Sequence, residues 1–291
     1  MKKRWKLLLF GAVCMFAMAG CGAESKEEIT ADAAQEYVQK AHAMLEEADS
    51  FAADFHAVAD MGGGNETTTE GTVTFVKEPL QAQVHMNILF DDDVRESSSE
   101  EKVYLEETGD EVSYYMNYDG QWTEMTLDEE SALAVTQIYN TLYNMEAIFS
   151  AAENWTAEKA DGDIVLTSSI PEEKFYDVES YTRWFQLAGM SGLAEVYYAG
   201  TGDIPVTVIL DSKTGEPLSY SVDLAHALET VTNNVLKELS GGAGESGIAV
   251  EKYNITSELT QLGGVEAAEI PAEAKSSAIN YEKEISMLES E

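Results

Sequence analysis

The stretch AQVHMNILFD, from Ala82 to Asp91, places Ala82, Val84, Met86, Ile88 and Phe90 on one side and Gln83, His85, Asn87 and Asp91 on most of the other. Successive side chains of a strand point to opposite faces, so this run commits the chain to a sheet with one apolar and one wet side. The same alternation recurs at Phe51, Ala53, Phe55 and Ala57, at Val73 and Phe75 after the turn GGGN, and at Leu218, Tyr220, Val222 and Leu224. Asp-Gly between alternating runs is a hairpin signal. Thr108-Gly109-Asp110 and Asp119-Gly120 therefore cut the aromatic stretch 104–125 into three short strands, with Tyr114, Met116 and Tyr118 on one face and Tyr115 and Asn117 on the other. Asp161-Gly162 predicts another hairpin, DSKTGEP joins strands at 204–210 and 218–224, and a last strand is expected over 248–259. Pro205 belongs at a strand start or an edge.

Helical spacing fills the gaps between these runs. Thr30 reads as an N-cap, and Ala34, Tyr37, Val38, Ala41, Met44, Leu45 and Ala48 give a helix over 31–48 an apolar face. From Thr126 or Asp128 onward, Val135, Ile138, Leu142, Met145, Phe149 and Ala152 form a narrow apolar seam, which predicts one helix of up to 25 residues laid across the sheet. Pro171 with Glu172 and Glu173 opens a further helix in which Phe175, Val178, Tyr181 and Phe185 align, ending by Gly189 or Gly192. The segment 229–247 reads as polar, and the tail from Ala274 as a short helix.

The amino end assigns a compartment. Lys2, Lys3, Arg4 and Lys6 precede an apolar run over 7–17, the pattern of a secretory signal. Met18-Ala19-Gly20-Cys21 resembles the lipobox of bacterial lipoproteins, with Met18 where that motif usually carries Leu. The resemblance implies that the Cys21 thiol takes a diacylglycerol before cleavage. Cys14 would leave with the signal, so the mature chain would hold no disulfide, no free thiol and no cysteine metal site. The full chain carries 17 Lys+Arg against 54 Asp+Glu, a net charge of −37, and loss of the signal removes four more positive charges. Phosphate binding draws on clustered Lys and Arg, so nucleic acid is not an expected partner. Anionic headgroups likewise repel such a surface, which leaves acyl chains to do the anchoring.

No chemistry-bearing motif survives inspection of its context. Gly242-Ala243-Gly244-Glu245-Ser246-Gly247 matches G-x-G-x-x-G, but it precedes a strand instead of following one and reads as a loop. His42, His56, His85 and His226 are scattered, with no H-E-x-x-H pair, so no zinc or other metal site is expected. Asp91, Asp92, Asp93, Glu96, Glu100 and Glu101 lack the spacing of a calcium loop and read as a solvated hairpin tip. Three Asn-x-Thr sequons, at Asn65, Asn154 and Asn254, are chance matches under a bacterial-type signal. No nucleophile and base can be assembled, so the chain reads as a non-enzyme without cofactor.

The phrases GTVTFVKEPLQAQVHM, YYMNYDGQWTEM and EIPAEAK, set behind a lipidated cysteine, resemble the lipoproteins of the LolA/LppX-like superfamily, in particular its Gram-positive surface members of undefined role. The resemblance implies an α+β fold, an unclosed antiparallel β-barrel formed by a curved sheet with amphipathic helices covering its concave face. In better-known relatives that face encloses a cavity for acyl chains. The expected organisation is a signal peptide over 1–20, a lipidated tether over 21–30, a half-barrel domain over 31–273 and a helical tail over 274–291. The expected location is the extracytoplasmic face of the cell membrane. Val84, Met86, Ile88, Phe90, Tyr114, Met116 and Tyr118 are the candidate lining for a lipid or other hydrophobic ligand, since methionine-rich apolar faces adapt to irregular guests. The expected function is accordingly that of a membrane-anchored lipoprotein that binds or carries such a molecule in the half-barrel cavity; the alternative is an interaction or scaffolding lipoprotein with a filled core and an unidentified protein partner, since the same residues fit both.

Overall fold

The computed structural model describes residues 27–92, 95–109, 111–241 and 247–280. The signal peptide, Cys21, the first part of the tether, Gly242 to Ser246 of the glycine motif and the tail beyond Asn280 lie outside the described residues. Strand β1 (Glu27–Ile29) and helix α1 (Ala31–Glu47) precede a meander of β2 (Ser50–Asp60), β3 (Glu66–Val76), β4 (Gln81–Asp92), β5 (Arg95–Thr108), β6 (Glu111–Tyr118) and β7 (Gln121–Leu127). Helices α2 (Glu129–Thr136) and α3 (Thr141–Ala151) lead to β8 (Glu153–Ala160) and β9 (Asp163–Ile170). Helix α4 (Glu172–Thr182) precedes β10 (Ile204–Asp211) and β11 (Pro217–Asp223), and α5 (Ala225–Leu239) precedes β12 (Lys252–Leu262), α6 (Ala272–Ser277) and β13 (Ile279–Asn280).

These strands form one open sheet of 13, in the order β1-β8-β9-β10-β11-β12-β2-β3-β4-β5-β6-β7-β13. Pairing is antiparallel throughout except at the edge, where β13 runs parallel to β7. Twisted open sheets rarely exceed about ten strands without curling, and this one curves around its helices. Strand β12 is the seam: it pairs with β11 on one side and with nearly the whole of β2 on the other, joining two meanders. Asp119 and Gly120, and Asp161 and Gly162, all have positive φ, the backbone that a two-residue hairpin turn with right-handed strand twist requires.

Helix α1 follows its sequence pattern. The Thr30 side chain accepts from the Ala33 amide, Asp32 lies in the first turn, and Ala34, Val38, Ala41 and Leu45 are buried against the sheet. The expected 25-residue helix is broken instead. Asp128 caps α2 by accepting from the Ser131 amide at 2.7 Å, while the Thr136 hydroxyl donates back to the carbonyls of Ala132 and Leu133. A 3-10 turn over Gln137–Tyr139 follows. Asn140, in extended backbone, then starts α3 by accepting from the Tyr143 amide. Local Thr and Asn side chains compete with helix continuation here, and the break swings Val135 out to solvent while Ile138, Leu142, Met145 and Phe149 stay buried.

Other expectations shift as well. The segment read as polar contains α5, whose Ala227, Leu228, Val231 and Thr232 are buried at helical spacing among exposed polar neighbours. Helix α4 ends at Arg183, which takes a left-handed conformation, so Phe185 belongs to a following 3-10 turn and Tyr181 is exposed. Glu27 to Ile29, read as tether, pair with β8, and Ala278 ends α6 before β13. The stretch 104–125 also departs from a one-sided sheet. Tyr104, Tyr115 and Trp122 point away from the main core and are buried under Ile270 and Ala274, so α6 and its approach cover the convex side.

Candidate functional site

Cross-strand register gathers the candidate residues on the helix-bearing face. Val84 stands opposite Val103, which stands opposite Met116; Met86 stands opposite Glu101, which stands opposite Tyr118. Ile88 and Phe90 continue the same row toward the end of β4, and Tyr114 lies beside Leu105. The seven positions predicted from alternation therefore share one face, but they do not share one environment. Val84 and Met86 are buried at 0% and 2% exposure and Tyr114 at 8%, whereas Phe90 is 37% and Tyr118 51% exposed. Ile88 and Met116 are partly buried against the core.

The buried part of the row is closed by the protein's own side chains. Phe55, Gly71 and Met86 form one rung across β2, β3 and β4. The Phe55 ring lies so close over Gly71 that a Cβ there would meet ring carbons at 2.5 Å and the His85 carbonyl at 2.4 Å. Tyr139, from the turn between α2 and α3, packs its ring 5.2 Å from that of Phe55 and donates its hydroxyl to the Met86 sulfur at 3.4 Å. Polar links hold the helix in place above the sheet. Asn144, fully buried, donates to the Ile138 carbonyl and the Tyr220 hydroxyl, and Thr141 shares a 2.8 Å hydrogen bond with Ser257.

One residue of this face was misplaced by sequence reasoning. Glu101, grouped with the acidic hairpin tip, sits in the middle of the sheet beside Met86 on the helix-bearing side. Burial raises its carboxyl above the usual range. Burial and the nearby Glu101 charge push the Tyr114 phenol up to about 12, and the same two causes raise Tyr139. Counting Glu101 in the alternation of Val103 and Leu105 would have placed it on this face. On its opposite side the sheet carries a polar cluster, in which His85 and Tyr104 lie 2.7 Å apart. Burial, then Lys102, lowers the His85 pKa.

None of the seven residues lines the cavity of about 480 Å³ that opens beside α4 and the loop after it. Its walls include Glu179 and Arg183, neither of which alternation or helical spacing singled out. The available signal was scarcity, because Arg183 is one of only three arginines in a chain of charge −37. Among the described residues no helix is long and apolar enough to cross a membrane.

No family model matches the sequence, and no curated protein matches it either. Among solved structures the chain is similar to LprF from Mycobacterium bovis, at 12% identity and a TM-score of 0.45 over 83% of this chain and 98% of that one. It is also similar to a beta-barrel-like protein of the domain of unknown function DUF1849 from Brucella abortus, at 10% identity and a TM-score of 0.25 over 75% of this chain and 99% of that one. Likeness at this level bears on neither ligand nor activity.

Proposed function

We propose that this chain is a lipid-anchored extracytoplasmic lipoprotein of the LolA/LppX-like kind, held to the membrane through Cys21, that acts without catalysis as an interaction or scaffolding module. The observation that carries this reading is the closure of the half-barrel by its own residues: Tyr139 packs on Phe55 and donates to the Met86 sulfur, Val84 is fully buried, and Asn144 and Thr141 pin α3 onto the sheet. Burying those apolar side chains against one another stabilises the fold by roughly 1.5–3 kcal/mol each. An acyl chain would have to displace that packing to enter. The strongly acidic surface keeps the body solvated and favours partners that carry basic patches. Crosslinking on intact cells, combined with native mass spectrometry of the purified chain, tests the proposal. A reproducible protein partner and no co-purified lipid beyond the anchor are expected; stoichiometric bound lipid would overturn it.

A second reading, a carrier of a lipid or other acyl-chain molecule, rests on a different feature. The apolar row continues past the helical cover, from fully buried Val84 to Phe90 and Tyr118 at 37% and 51% exposure, with Ile88 between. Such a graded row would serve as an entrance if α2 and the following turn swing away. Substituting Ile88, which is only partly buried, by Trp would block that entrance, so a carrier loses its co-purified lipid in Ile88→Trp while a solid scaffold shows no lipid in either form.

A further inference from the structure

The cavity beside α4 is built on a rigid wall. Glu179, only 7% exposed, accepts from the Phe185 amide at 2.9 Å and from the Tyr198 hydroxyl at 3.2 Å. Tyr198 in turn stacks on Phe185 with rings 9° from parallel, and Tyr176 meets it edge-on at 5.2 Å. Met190, which also lines the cavity, has its sulfur held by the Thr232 hydroxyl of α5 at 3.3 Å. Aromatic and thioether surfaces fixed in this way cost little ordering entropy when a guest arrives. Arg183 lies on the same wall, and its guanidinium makes no hydrogen bond or ion pair with any described residue. A half-buried guanidinium offers five donors in a planar fork that matches a carboxylate at two points.

We propose that this cavity binds a small monocarboxylate with a compact apolar body, the carboxylate taken by Arg183 and the body lying on Tyr176, Met190 and Leu193. Ser191 and Gln186 add polar groups to the lining, while the Ser180 hydroxyl already donates to the Asp177 carbonyl. About 480 Å³ is within the range of small-molecule sites. The charge balance selects one negative group: a second anionic charge would meet the field of a chain with 54 acids and only 17 Lys+Arg. Inorganic phosphate or a phosphate ester is therefore a poorer guest than a carboxylate. The site is separate from the half-barrel face, so the proposal stands apart from either reading of that face.

Calorimetric titration of the purified full chain with N-acetylphenylalanine, N-acetylleucine, their neutral carboxamides and inorganic phosphate tests it. Both acids are expected to bind with millimolar or tighter affinity, each at least about tenfold tighter than its amide and tighter than phosphate. In Arg183→Gln the preference of acid over amide should vanish. Equal affinity for acid and amide in the unaltered chain, no heat from either acid up to about 10 mM, or phosphate binding as tight as the acids would each overturn the proposal. The acid-to-amide comparison uses no variant, so it decides the matter even where Arg183→Gln does not fold.

Discussion

The hydroxyl of Tyr139 donates to the sulfur of Met86 across 3.4 Å, tying the turn between two helices to the middle of the sheet. The contact joins residues 53 positions apart and closes the apolar row that alternation placed on β4. Truncating the sulfur-bearing side chain should leave a void that its packed neighbours fill only in part. Met86→Ala is expected to cost about 2–5 kcal/mol, and Tyr139→Phe, which keeps the ring on Phe55, about 1 kcal/mol or less. Urea denaturation measures both; a negligible loss in Met86→Ala would mean that this part of the face is not packed.

Gly71 allows the Phe55 ring to rest on the backbone of β3. In an ordinary strand alanine is preferred to glycine, yet Gly71→Ala should destabilise by about 1–3 kcal/mol, because its methyl carbon would overlap the ring and the His85 carbonyl. Combining it with Phe55→Leu should recover part of the loss, since removing the aromatic edge frees that space. Thermal melts of the two single variants and the double variant read the coupling; strict additivity would refute it.

Burial raises the Glu179 carboxyl from 4.5 to about 7, against the opposing hydrogen bonds from Phe185 and Tyr198 and the charge of Arg183. The folded state therefore holds this proton more tightly than the unfolded chain. Its contribution to stability is complete below about pH 4.5 and is lost as pH rises through about 7, by at most about 3 kcal/mol. Glu101 and Glu146 are raised by burial too and act with the same sign. Comparing Glu179→Gln with the parent chain isolates the Glu179 share: the difference in unfolding free energy should move in favour of the variant between pH 5 and pH 8. A pH-independent difference would rule this out.

On the convex side, Ala274 is fully buried over Tyr104, Tyr115 and Trp122, and Lys275 reaches Glu106 at 2.7 Å. Ala274→Glu would bring an unpaired charge into that contact and should detach α6 and β13 while leaving the main core intact. Hydrogen exchange should then rise in β6 and β7 and over 266–280, and Trp122 fluorescence should shift to the red. Protection unchanged in those segments would show that the cover does not depend on this contact.

Much of the architecture was legible in local pattern. The alternation in β4, the Asp-Gly turns at 119–120 and 161–162 and the Thr30 cap each depend on a few neighbouring residues, and each is present in the fold. Helix α5 was harder to read because Thr230, Thr232, Asn233 and Asn234 dilute its apolar stripe. The break at Asn140 was hidden because the apolar seam runs across it at nearly helical spacing. For the candidate site, alternation correctly grouped the seven residues on one face. It gave no measure of depth, and so buried Val84 and exposed Tyr118 looked equivalent.

Side-chain period and turn chemistry are set by backbone geometry within about ten residues, and those the amino-acid order determined by itself: many strands, one shared apolar side, helices to lie on it, and a basic then apolar amino end. Strand order was decided by the tertiary structure. β12 finds its place between β11 and β2 through pairing with residues about 200 positions away, which no local pattern encodes. The same is true of the filling of the concave face by Tyr139 and of the convex cover by Ala274. Whether an apolar side chain meets its own core, a guest or water depends on what other parts of the chain bring to it, and only folding brings them together.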